Sequence, residues 1–424
     1  MKYSDIDVAV IGSGPAGMAA AIKAKEEGAV RVLILERQEQ LGGLLHQCVH
    51  NGFGLFYFGQ DLTGPEYGHR FAEKVRDSGI EALLETMVTR ISADRQITAM
   101  NNREGPLNLR PKSIVLAMGC RERSRGQLNV PGTRPAGVFT AGTAQRLVNV
   151  EGFVPGKRVV ILGSGDIGMI MARRLTLEGA EVKAVVEILP YVGGLTRNEV
   201  QCLHDFRIPL LLEHTVTQIH GEQRVEAVTI AKVGKDKKPI NGTEQVIECD
   251  TLLLSVGLIP ENELSLMAGV ELDPLTGGPV VDHWRETTIP GIFAGGNVVH
   301  VHDLVDNVSW EAEIAGAWAT KFAQKGRLEK ERKIILKPGR NIRYIVPQAI
   351  STQNDVTLYA RVKDMEQDVQ LKVGNIFMQK LRVVKPGEML KLDLSQNQMS
   401  QLKVNTSELI VECGAPRVKP KVPY

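Results

Sequence analysis

The sequence predicts an α/β protein with two similar strand–turn–helix units, the second inserted in the first, and a small C-terminal all-β domain. A glycine-rich segment after a short apolar run occurs twice, at residues 6–21 and at residues 158–168. A later apolar run, at residues 291–297, resumes the pattern of the first unit. Beyond residue 350, apolar and polar residues alternate at short spacing, which is typical of β-strands. The 424 residues suffice for two or three domains with separate cores.

The first glycine-rich segment lies between β-branched residues and an alanine-rich helix. Its glycines have the spacing G-x-G-x-x-G, at Gly12, Gly14 and Gly17. They serve a tight turn, a close approach of backbone to a pyrophosphate, and helix–strand packing. Pro15 and Ala16 open the predicted helix, whose free N–H groups would face phosphate oxygens. The next predicted strand ends in Glu36, 24 residues after Gly12, where a carboxylate can hold a ribose hydroxyl.

The same pattern returns in the second unit. Its expected cofactor contacts are Gly163, Gly165, Asp166, Ile167 and Gly168. The following strand ends in Glu187, again 24 residues after the first glycine of the motif. We therefore predict two Rossmann-like dinucleotide-binding domains, each holding one dinucleotide; an ordinary glycine-rich turn is the alternative at each site.

A Gly-Gly pair, Gly42-Gly43, follows the first unit and can approach the other half of the same dinucleotide. Beyond it His46, Cys48 and His50 alternate, so in an extended segment they would share one face. The functional interpretation puts this face near a redox ring, with the polar groups tuning it or handling a proton. A metal site is disfavoured, because three ligands at strand spacing do not close a tetrahedron alone. The remaining alternative is a polar loop that only packs.

Two predicted buried strands end in a small residue and a glycine, where backbone nears a cofactor. One ends at Ala117 and Gly119, and its counterpart in the second unit ends at Gly257. Cys120 is expected to be a small buried apolar residue. The returning strand leads through Gly296 and Asn297 into a helix whose N-terminus can face an electron-rich ring edge.

These observations set the predicted domains. The first spans residues 1–138 and 284–326, the second residues 139–283, and the β domain residues 327–424. Between residues 325 and 343, eight lysines or arginines accompany two glutamates, which predicts an exposed connector or a docking stripe for an acidic partner. The β domain carries no visible catalytic constellation, so we interpret it as an interface module, with its strands packed as a sandwich.

Composition narrows the function classes. With 43% hydrophobic residues, 24% charged residues and a formal net charge of +2, the chain has no basic field that would indicate nucleic acid as a partner. No apolar run is long enough to span a bilayer. Five cysteines without a C-x-x-C pair fit reduced thiols in the cytoplasm and offer no iron–sulfur or zinc motif. We expect no metal in this chain; metal centres, if used, would sit on another subunit.

The arrangement resembles the flavoproteins with two dinucleotide-binding domains, and within them the thioredoxin reductase branch, over about residues 7–325. The resemblance rests on both glycine motifs, Gly42-Gly43, residues 64–66 and the segments that end at Gly119, Gly257 and Asn297. It implies FAD in the first unit, NAD(P)H in the second, and hydride transfer between them. The FAD contacts implied by this resemblance include Arg37, Gly43 and Leu44.

Three departures from that family bear on activity. Where thioredoxin reductases carry C-x-x-C, this chain has residues 140–143 without cysteine. After Gly-Gly, where the glutathione reductase branch has its cysteine pair, only Cys48 is present. Disulfide reduction is therefore not expected. Asn297 stands where the family has an aspartate on the ribityl chain; an amide can still hydrogen-bond there.

Four segments are more similar to the pyridine-nucleotide flavoprotein subunit that accompanies bacterial glycerol-3-phosphate dehydrogenases than to thioredoxin reductases. They are residues 46–54, 119–123, 134–142 and 300–306. They also resemble subunits of opine oxidase and hydrogen cyanide synthase. This resemblance implies an electron-transfer subunit that works with a substrate-oxidising flavoprotein subunit and a small cysteine-containing subunit. The alternatives are a stand-alone NADH oxidase or NADH:acceptor reductase, and a degenerate flavoprotein whose cofactors only support an assembly.

The candidate catalytic residues are His46, Cys48 and His302, with proton transfer assigned to His302 or His46. The alternative is that the aspartates near His302, at positions 303 and 306, cap the helix while the histidines pack around it. NADH is expected to be preferred, because Glu187 would accept a ribose 2′-hydroxyl and repel a 2′-phosphate, although the nearby Arg197 opposes this preference.

Overall fold

The coordinates are a computed structural model, which describes residues 5–329, 333–352, 354–402 and 405–415. Strands and helices alternate along the first unit, as its pattern predicts. Its elements are β1 (Val8–Ile11), α1 (Pro15–Glu26), β2 (Val32–Leu35), a 3₁₀ turn (Gly43–Gln47), β3 (Asn51–Phe53), β4 (Leu62–Thr63), α2 (Gly64–Asp77), β5 (Glu81–Leu83), β6 (Thr86–Ile91), β7 (Ile97–Asn101), β8 (Gly105–Leu109) and β9 (Ser113–Leu116).

Two short linker strands join the units. The linkers are β10 (Cys120–Glu122), followed by α3 (Arg125–Leu128), and β19 (Leu258–Pro260), and the two strands pair antiparallel. Between them the second unit comprises β11 (Val138–Thr140), α4 (Ala141–Asn149), β12 (Arg158–Leu162), α5 (Asp166–Leu177), β13 (Glu181–Val186), α6 (Thr196–Asn198) with a π turn (Glu199–His204), β14 (Leu210–Leu211), β15 (His214–His220), β16 (Ala227–Lys232), β17 (Gln245–Glu248) and β18 (Thr251–Leu254).

The chain then returns to the first sheet. After α7 (Glu263–Met267), β20 (Ile292–Ala294) pairs parallel with β9 and leads through a 3₁₀ turn (Gly296–Val298) into the long helix α8 (Val305–Lys325). The predicted insertion of the second unit in the first is therefore confirmed.

Two parallel five-stranded sheets form the body of the molecule. Their strand orders, β20-β9-β1-β2-β5 and β11-β18-β12-β13-β14, place the strand before each glycine motif at the centre. Both glycine loops therefore leave their sheets from the middle strand, where neighbouring strands can contribute to the same site.

Alternation along each central strand divides the core into two layers. In β1, Val8 and Val10 belong to the cluster with α1, α2 and α8, whereas Ala9 and Ile11 face the β6–β8 sheet. The second unit repeats this arrangement, with α4 and α5 on one side of β12 and the β15–β17 sheet on the other. Each parallel sheet is thus covered on both faces, as buried parallel strands require.

The C-terminal region is all-β apart from one helical turn, as predicted. Its elements are β21 (Ile334–Pro338), β22 (Ile342–Val346), β23 (Ala349–Ile350), β24 (Val356–Val362), β25 (Glu366–Val373), β26 (Phe377–Val384), β27 (Leu390–Leu394), α9 (Gln396–Met399) and β28 (Glu408–Gly414). A five-stranded sheet, β23-β21-β28-β25-β26, and a three-stranded sheet, β22-β24-β27, enclose one apolar cluster.

The predicted connector between residues 325 and 343 differs from the structure. Residues 330–332 lie outside the described residues, but β21 and β22 already begin within the segment. Ile334, Leu336 and Ile342 are buried in the β-domain core, because their apolar side chains share the inner faces of the two sheets. In the sequence, the many lysines and arginines of this segment hide the alternation of buried and exposed residues in β21 and at the start of β22.

The turn between β26 and β27, residues 385–389, contacts both dinucleotide units at once. Lys385 Nζ donates to Thr196 Oγ1 at 2.9 Å in the second unit. The backbone N–H of Met389 donates to Asp303 Oδ2 at 2.6 Å in the first. A Cβ added to Gly387 would lie 2.3 Å from the carbonyl oxygen of Gly193, so this turn packs tightly against the second unit.

Among the described helices, none is both long enough and apolar enough to cross a membrane.

Helix α1 packs along α8 with the two backbones in close approach at Gly316. A Cβ added to Gly316 would lie 2.1 Å from the carbonyl oxygen of Ala20. We expect Gly316→Ala to destabilise the protein by about 1–3 kcal/mol, because two helix backbones would have to separate. Thermal melting of the full chain should show a transition several degrees lower.

Gly126→Ala is the matched control, since its added Cβ would meet only Ser124 Oγ, at 3.8 Å, on an exposed turn. Equal melting temperatures for the two variants would contradict the tight α1–α8 packing.

Candidate functional site

The first glycine loop leaves open space at the N-terminus of α1. Gly12 has φ +99°, and a Cβ there would lie 2.5 Å from the carbonyl oxygen of Ala117. A Cβ at Gly17 would lie 1.8 Å from the carbonyl oxygen of Gly12, so both positions exclude side chains. Gly14 has nothing within 4 Å of its added Cβ. The start of α1, with Pro15 in its first turn and no side-chain cap, therefore has room for a phosphate.

Glu36 lies beside this loop and is 5% exposed. Its Oε2 accepts from the backbone N–H and the hydroxyl of Ser13, at 2.8 and 2.6 Å, and its Oε1 accepts from Gln38 N at 2.8 Å. A carboxylate offers about four lone-pair positions, so one remains for a ribose hydroxyl. Ser13 was missed in the sequence, where it appeared only as a spacer between glycines.

Two other segments reach the same loop. Gly42 N donates to Ser13 O at 3.0 Å, and a Cβ at Gly43 would lie 3.0 Å from Gly14 Cα. From the returning chain, a Cβ at Gly296 would lie 2.8 Å from Ala16 Cβ at the start of α1. The structure thus brings together most of the predicted contacts of the first site. Arg37 and Leu44 are exposed at its edge.

The second unit repeats this geometry closely. Gly163 also has φ +99°, and Glu187 accepts from the N–H and hydroxyl of Ser164, at 2.8 and 2.6 Å, and from Leu189 N at 2.9 Å. A second Gly-Gly pair lies over the loop, with Gly194 N donating to Ser164 O at 3.0 Å. The pair Gly193-Gly194 was missed in the sequence, although it follows Gly163 at the same spacing at which Gly42-Gly43 follows Gly12.

The start of α5 differs from that of α1. Asp166 stands where the first unit has Pro15, and its Oδ1 accepts from Leu195 N at 2.8 Å and from Asn198 Nδ2 at 2.7 Å. Ile167 is half-buried and Gly168 is buried against Ser255, to whose Oγ its N–H donates at 3.0 Å. Asp166 therefore holds the turn at Gly193-Gly194 against the glycine loop of the second unit.

Arg197 is directed toward the first unit. A Cβ added to Gly52 would lie 2.4 Å from Arg197 Nη2, and nearby His50 has its pKa lowered by burial and by the charge of Arg197. Since its guanidinium lies against Gly52, Arg197 is directed away from the position of a 2′-phosphate beside Glu187.

The predicted shared face of His46, Cys48 and His50 is wrong. Gly42 and Gly43 both have positive φ and start a 3₁₀ turn that includes His46, so the segment is not extended. His46 Nε2 lies 2.6 Å from Leu41 O, Cys48 Sγ 3.4 Å from Leu44 O, and His50 Nδ1 2.9 Å from Asn51 O. The three side chains therefore point to different backbone partners, and the metal alternative for this segment loses its geometric basis.

The two half-buried thiols are poor nucleophiles at neutral pH. Burial raises the pKa of Cys48 to about 12 and that of Cys120 to about 11. All five cysteines are unpaired. Where thioredoxin reductases carry their disulfide, α4 begins instead: Thr140 accepts from Thr143 N, and Glu122 Oε1 accepts from Gly142 N at 2.8 Å.

Asn297 is held in one orientation at the end of β20. Its Oδ1 accepts from His302 N at 3.0 Å, and its Nδ2 lies 3.6 Å from Cys120 Sγ. Cys120 follows Gly119, which has φ +73°, while the corresponding Gly257 of the second unit is exposed with φ +105°. Ala117 and Asn297 follow the carboxyl ends of β9 and β20, and these strands run parallel to β1, so both residues lie at the edge of the first sheet where the glycine loop begins.

Four side chains form a buried group behind this turn, which we call the Glu311 cluster: Arg285, His300, His302 and Glu311. Glu311 Oε1 accepts from Arg285 Nε at 3.0 Å and lies 3.3 Å from His300 Nε2, while Oε2 lies 2.9 Å from His302 Nε2. The ring of His302 is therefore directed at Glu311. A catalytic role for His302, as for His46 and Cys48, stays a prediction.

Neither aspartate near His302 caps α8, so that part of the packing alternative is wrong. The N-cap is Leu304, without a side-chain cap. Asp306 accepts instead from Gly54 N and Phe56 N, at 3.0 and 2.9 Å, and Asp303 pairs with Arg361 of the β domain. Both therefore tie distant segments to the start of α8.

His300, His302 and Glu311 have ligand atoms within 4.8 Å of one another, a spacing that one metal ion could bridge. Arg285 already balances the carboxylate charge, however, and a divalent ion beside it would leave a buried excess of positive charge. The cluster is therefore better described as an ion pair with two histidines.

Comparisons with known proteins agree with this geometry. The pyridine nucleotide-disulphide oxidoreductase family model matches residues 6–312. An opine oxidase subunit from Agrobacterium tumefaciens is 27% identical over 312 residues, covering 69% of this chain and 61% of that protein. The hydrogen cyanide synthase subunit HcnB of Pseudomonas protegens is 26% identical over 315 residues, covering 68% and 65%. The match thus spans somewhat less than two thirds of these relatives.

Among solved structures, thioredoxin reductase of T. acidophilum has a TM-score of 0.63 at 25% identity, covering 76% of this chain and 99% of that one. A NAD-dependent persulfide reductase of A. fulgidus, at 19% identity and a TM-score of 0.58, covers 92% and 71% and shares the fold. With the family model spanning both glycine loops, the chain belongs to the pyridine nucleotide-disulphide oxidoreductase family, whose oxidoreductases use FAD and NAD(P)H.

Proposed function

We propose that this chain is the FAD- and NAD(H)-binding electron-transfer subunit of a heteromeric dehydrogenase, most concretely one that oxidises glycerol 3-phosphate. The observation that carries the proposal is the pair of glycine loops, each with its acid, in a chain whose cysteines offer no redox pair. Such a chain can take up a hydride but has no dithiol to pass it to, so its electrons are exchanged with an acceptor or donor outside the chain, which we take to be another subunit. The relatives named above are themselves subunits.

Each part of the first site has a stated task. The N–H groups at the start of α1 bind the pyrophosphate, and Glu36 accepts from a ribose hydroxyl. FAD, when bound, supplies the two-electron chemistry. The N-terminal end of α8 would stabilise negative charge on the bound flavin. In the second unit, the start of α5 and Glu187 hold NAD(H).

The first test is the isolated chain. It should purify as a yellow protein that releases FAD on denaturation, because both halves of the first site are formed. Affinity purification from its native cell should also recover a second flavoprotein and a small cysteine-containing protein, and that complex should reduce NAD⁺ with glycerol 3-phosphate. Rapid NADH oxidation by the chain alone, with no partner recovered, would favour the stand-alone oxidase.

The second test concerns cofactor choice. NADH should be preferred over NADPH, and Glu187→Gln should lower the ratio of the two kcat/KM values about tenfold, or about 1.4 kcal/mol, by removing the repulsion of a 2′-phosphate. Glu36→Gln is the matched control, since Ser13 holds Glu36 as Ser164 holds Glu187. Glu36→Gln should weaken FAD binding and leave the NADH-to-NADPH ratio of kcat/KM unchanged. If Glu187→Gln also leaves this ratio unchanged, Glu187 does not determine the choice of cofactor.

The third test concerns the thiol nearest the Gly-Gly turn. Because burial raises the pKa of Cys48 to about 12, the thiol stays protonated up to pH 9. Cys48→Ala should therefore keep NADH-to-dye activity within about tenfold, with an unchanged profile between pH 7 and 9. Complete loss of activity at normal FAD content would instead make Cys48 catalytic.

A further inference from the structure

The Glu311 cluster touches the turn of residues 296–302 at both ends. Glu311 Oε2 accepts from the backbone N–H of Gly296 at 2.9 Å and also lies 2.9 Å from the ring of His302. Between these two residues, Asn297 accepts from His302 N at 3.0 Å. One carboxylate oxygen therefore fixes the start and the end of the turn, and with them the amide orientation of Asn297.

This turn borders the first glycine loop. Gly296 packs on Ala16 in the first turn of α1, and its added Cβ would also lie 3.0 Å from Val308 Cγ1 of α8. A Cβ at the preceding Gly295 would lie 2.8 Å from Ala312 Cα. The turn is thus confined between two helices, and any movement of its Gly296 end changes the wall of the loop.

Arg285 makes a buried carboxylate tolerable at this position. Its side chain is fully buried, and its backbone has φ 64°, a conformation uncommon outside glycine. Its Nη2 donates to Thr357 O at 3.2 Å in the β domain, and the ring of Tyr359 packs on both histidines. An apolar pair of similar volume would serve stability as well or better, so directed bonds are what this ion pair adds.

Only a carboxylate suits these neighbours. Four donors converge on two oxygens, and an amide would place an NH₂ group against at least one of them. Burial by itself would raise the pKa of Glu311, but His300, His302 and Arg285 outweigh it and hold the pKa well below its usual range. Burial lowers the pKa of His300 to about 4, so this ring is neutral at pH 7 and its bond to Glu311 is that of a neutral donor.

We propose that Glu311 is a positioning residue of the first dinucleotide site: through Gly296 and His302 it holds Asn297 and the turn 296–302 in the arrangement that binds the flavin. The proposal rests on the proposed function, which places FAD in this site. It assigns a role to a residue in the second turn of α8, whose side chain lies behind the site wall.

The test compares Glu311→Gln with Glu313→Gln in the full chain, each stripped of cofactor and titrated with FAD. Glu313 is the matched control: it lies on the same helix and accepts from Tyr57 Oη. We expect Glu311→Gln to raise the Kd for FAD at least tenfold and to shift the flavin midpoint potential, and Glu313→Gln to change the Kd less than threefold. Equal affinities in the two variants would overturn the proposal.

Because Glu311→Gln leaves Arg285 buried without its partner, a second comparison separates positioning from stability. The double variant Arg285→Met/Glu311→Met removes both charges and should recover the melting temperature while FAD binding stays at least tenfold weaker. Recovery of both stability and affinity would reduce Glu311 to a structural role.

If neither Glu311 variant folds, His302 supplies the contrast. His302→Gln keeps a donor for Glu311 and should bind FAD within threefold of the parent, whereas His302→Leu should bind at least tenfold more weakly, with FAD titrated well below the melting temperature of each variant. Parent-like FAD binding by His302→Leu would overturn the proposal. A parent chain that binds no FAD at all would instead refute the proposed function.

Discussion

The closeness of α1 to its neighbours is the constraint on which the first unit depends. Its N-terminus must point at the loop after β1, which requires Gly17 to lie against the carbonyl of Gly12. Its outer side must meet α8, which requires Gly316 to lie against Ala20. Because both distances are set by backbone atoms, α8 is positioned with little freedom. The turn before α8 therefore arrives beside Ala16 and completes the wall of the site.

Periodicity and glycine spacing made most of this architecture predictable. The parallel strands, the two loops and the returning strand follow from local patterns that survive without knowledge of tertiary contacts. The fold class, including the insertion and the β domain, could be predicted for the same reason. Contacts between segments far apart in sequence could not be: Asp306 bonds to Gly54, and Asp303 to Arg361.

Two failures have specific causes. The shared face of His46, Cys48 and His50 requires an extended segment, but the positive φ angles at Gly42 and Gly43 start a 3₁₀ turn. Alternation over five residues is too short to distinguish the two conformations. The sequence does not distinguish Glu311 from other helical glutamates, which are ordinarily solvent-exposed. Its burial becomes evident only in the fold, where Arg285, from the loop before β20, pairs with it.

The turn at residues 385–389 has a mechanical consequence. It is hydrogen-bonded to Thr196 on one side and to Asp303 on the other, while β10 and β19 alone carry the chain between the two units. A rotation of one unit about the β10–β19 ribbon would break at least one of these two hydrogen bonds, or it would move the β domain together with that unit. The two α/β units and the β domain therefore cannot move independently. A protein that binds the β domain would also change the angle between the two nucleotide sites.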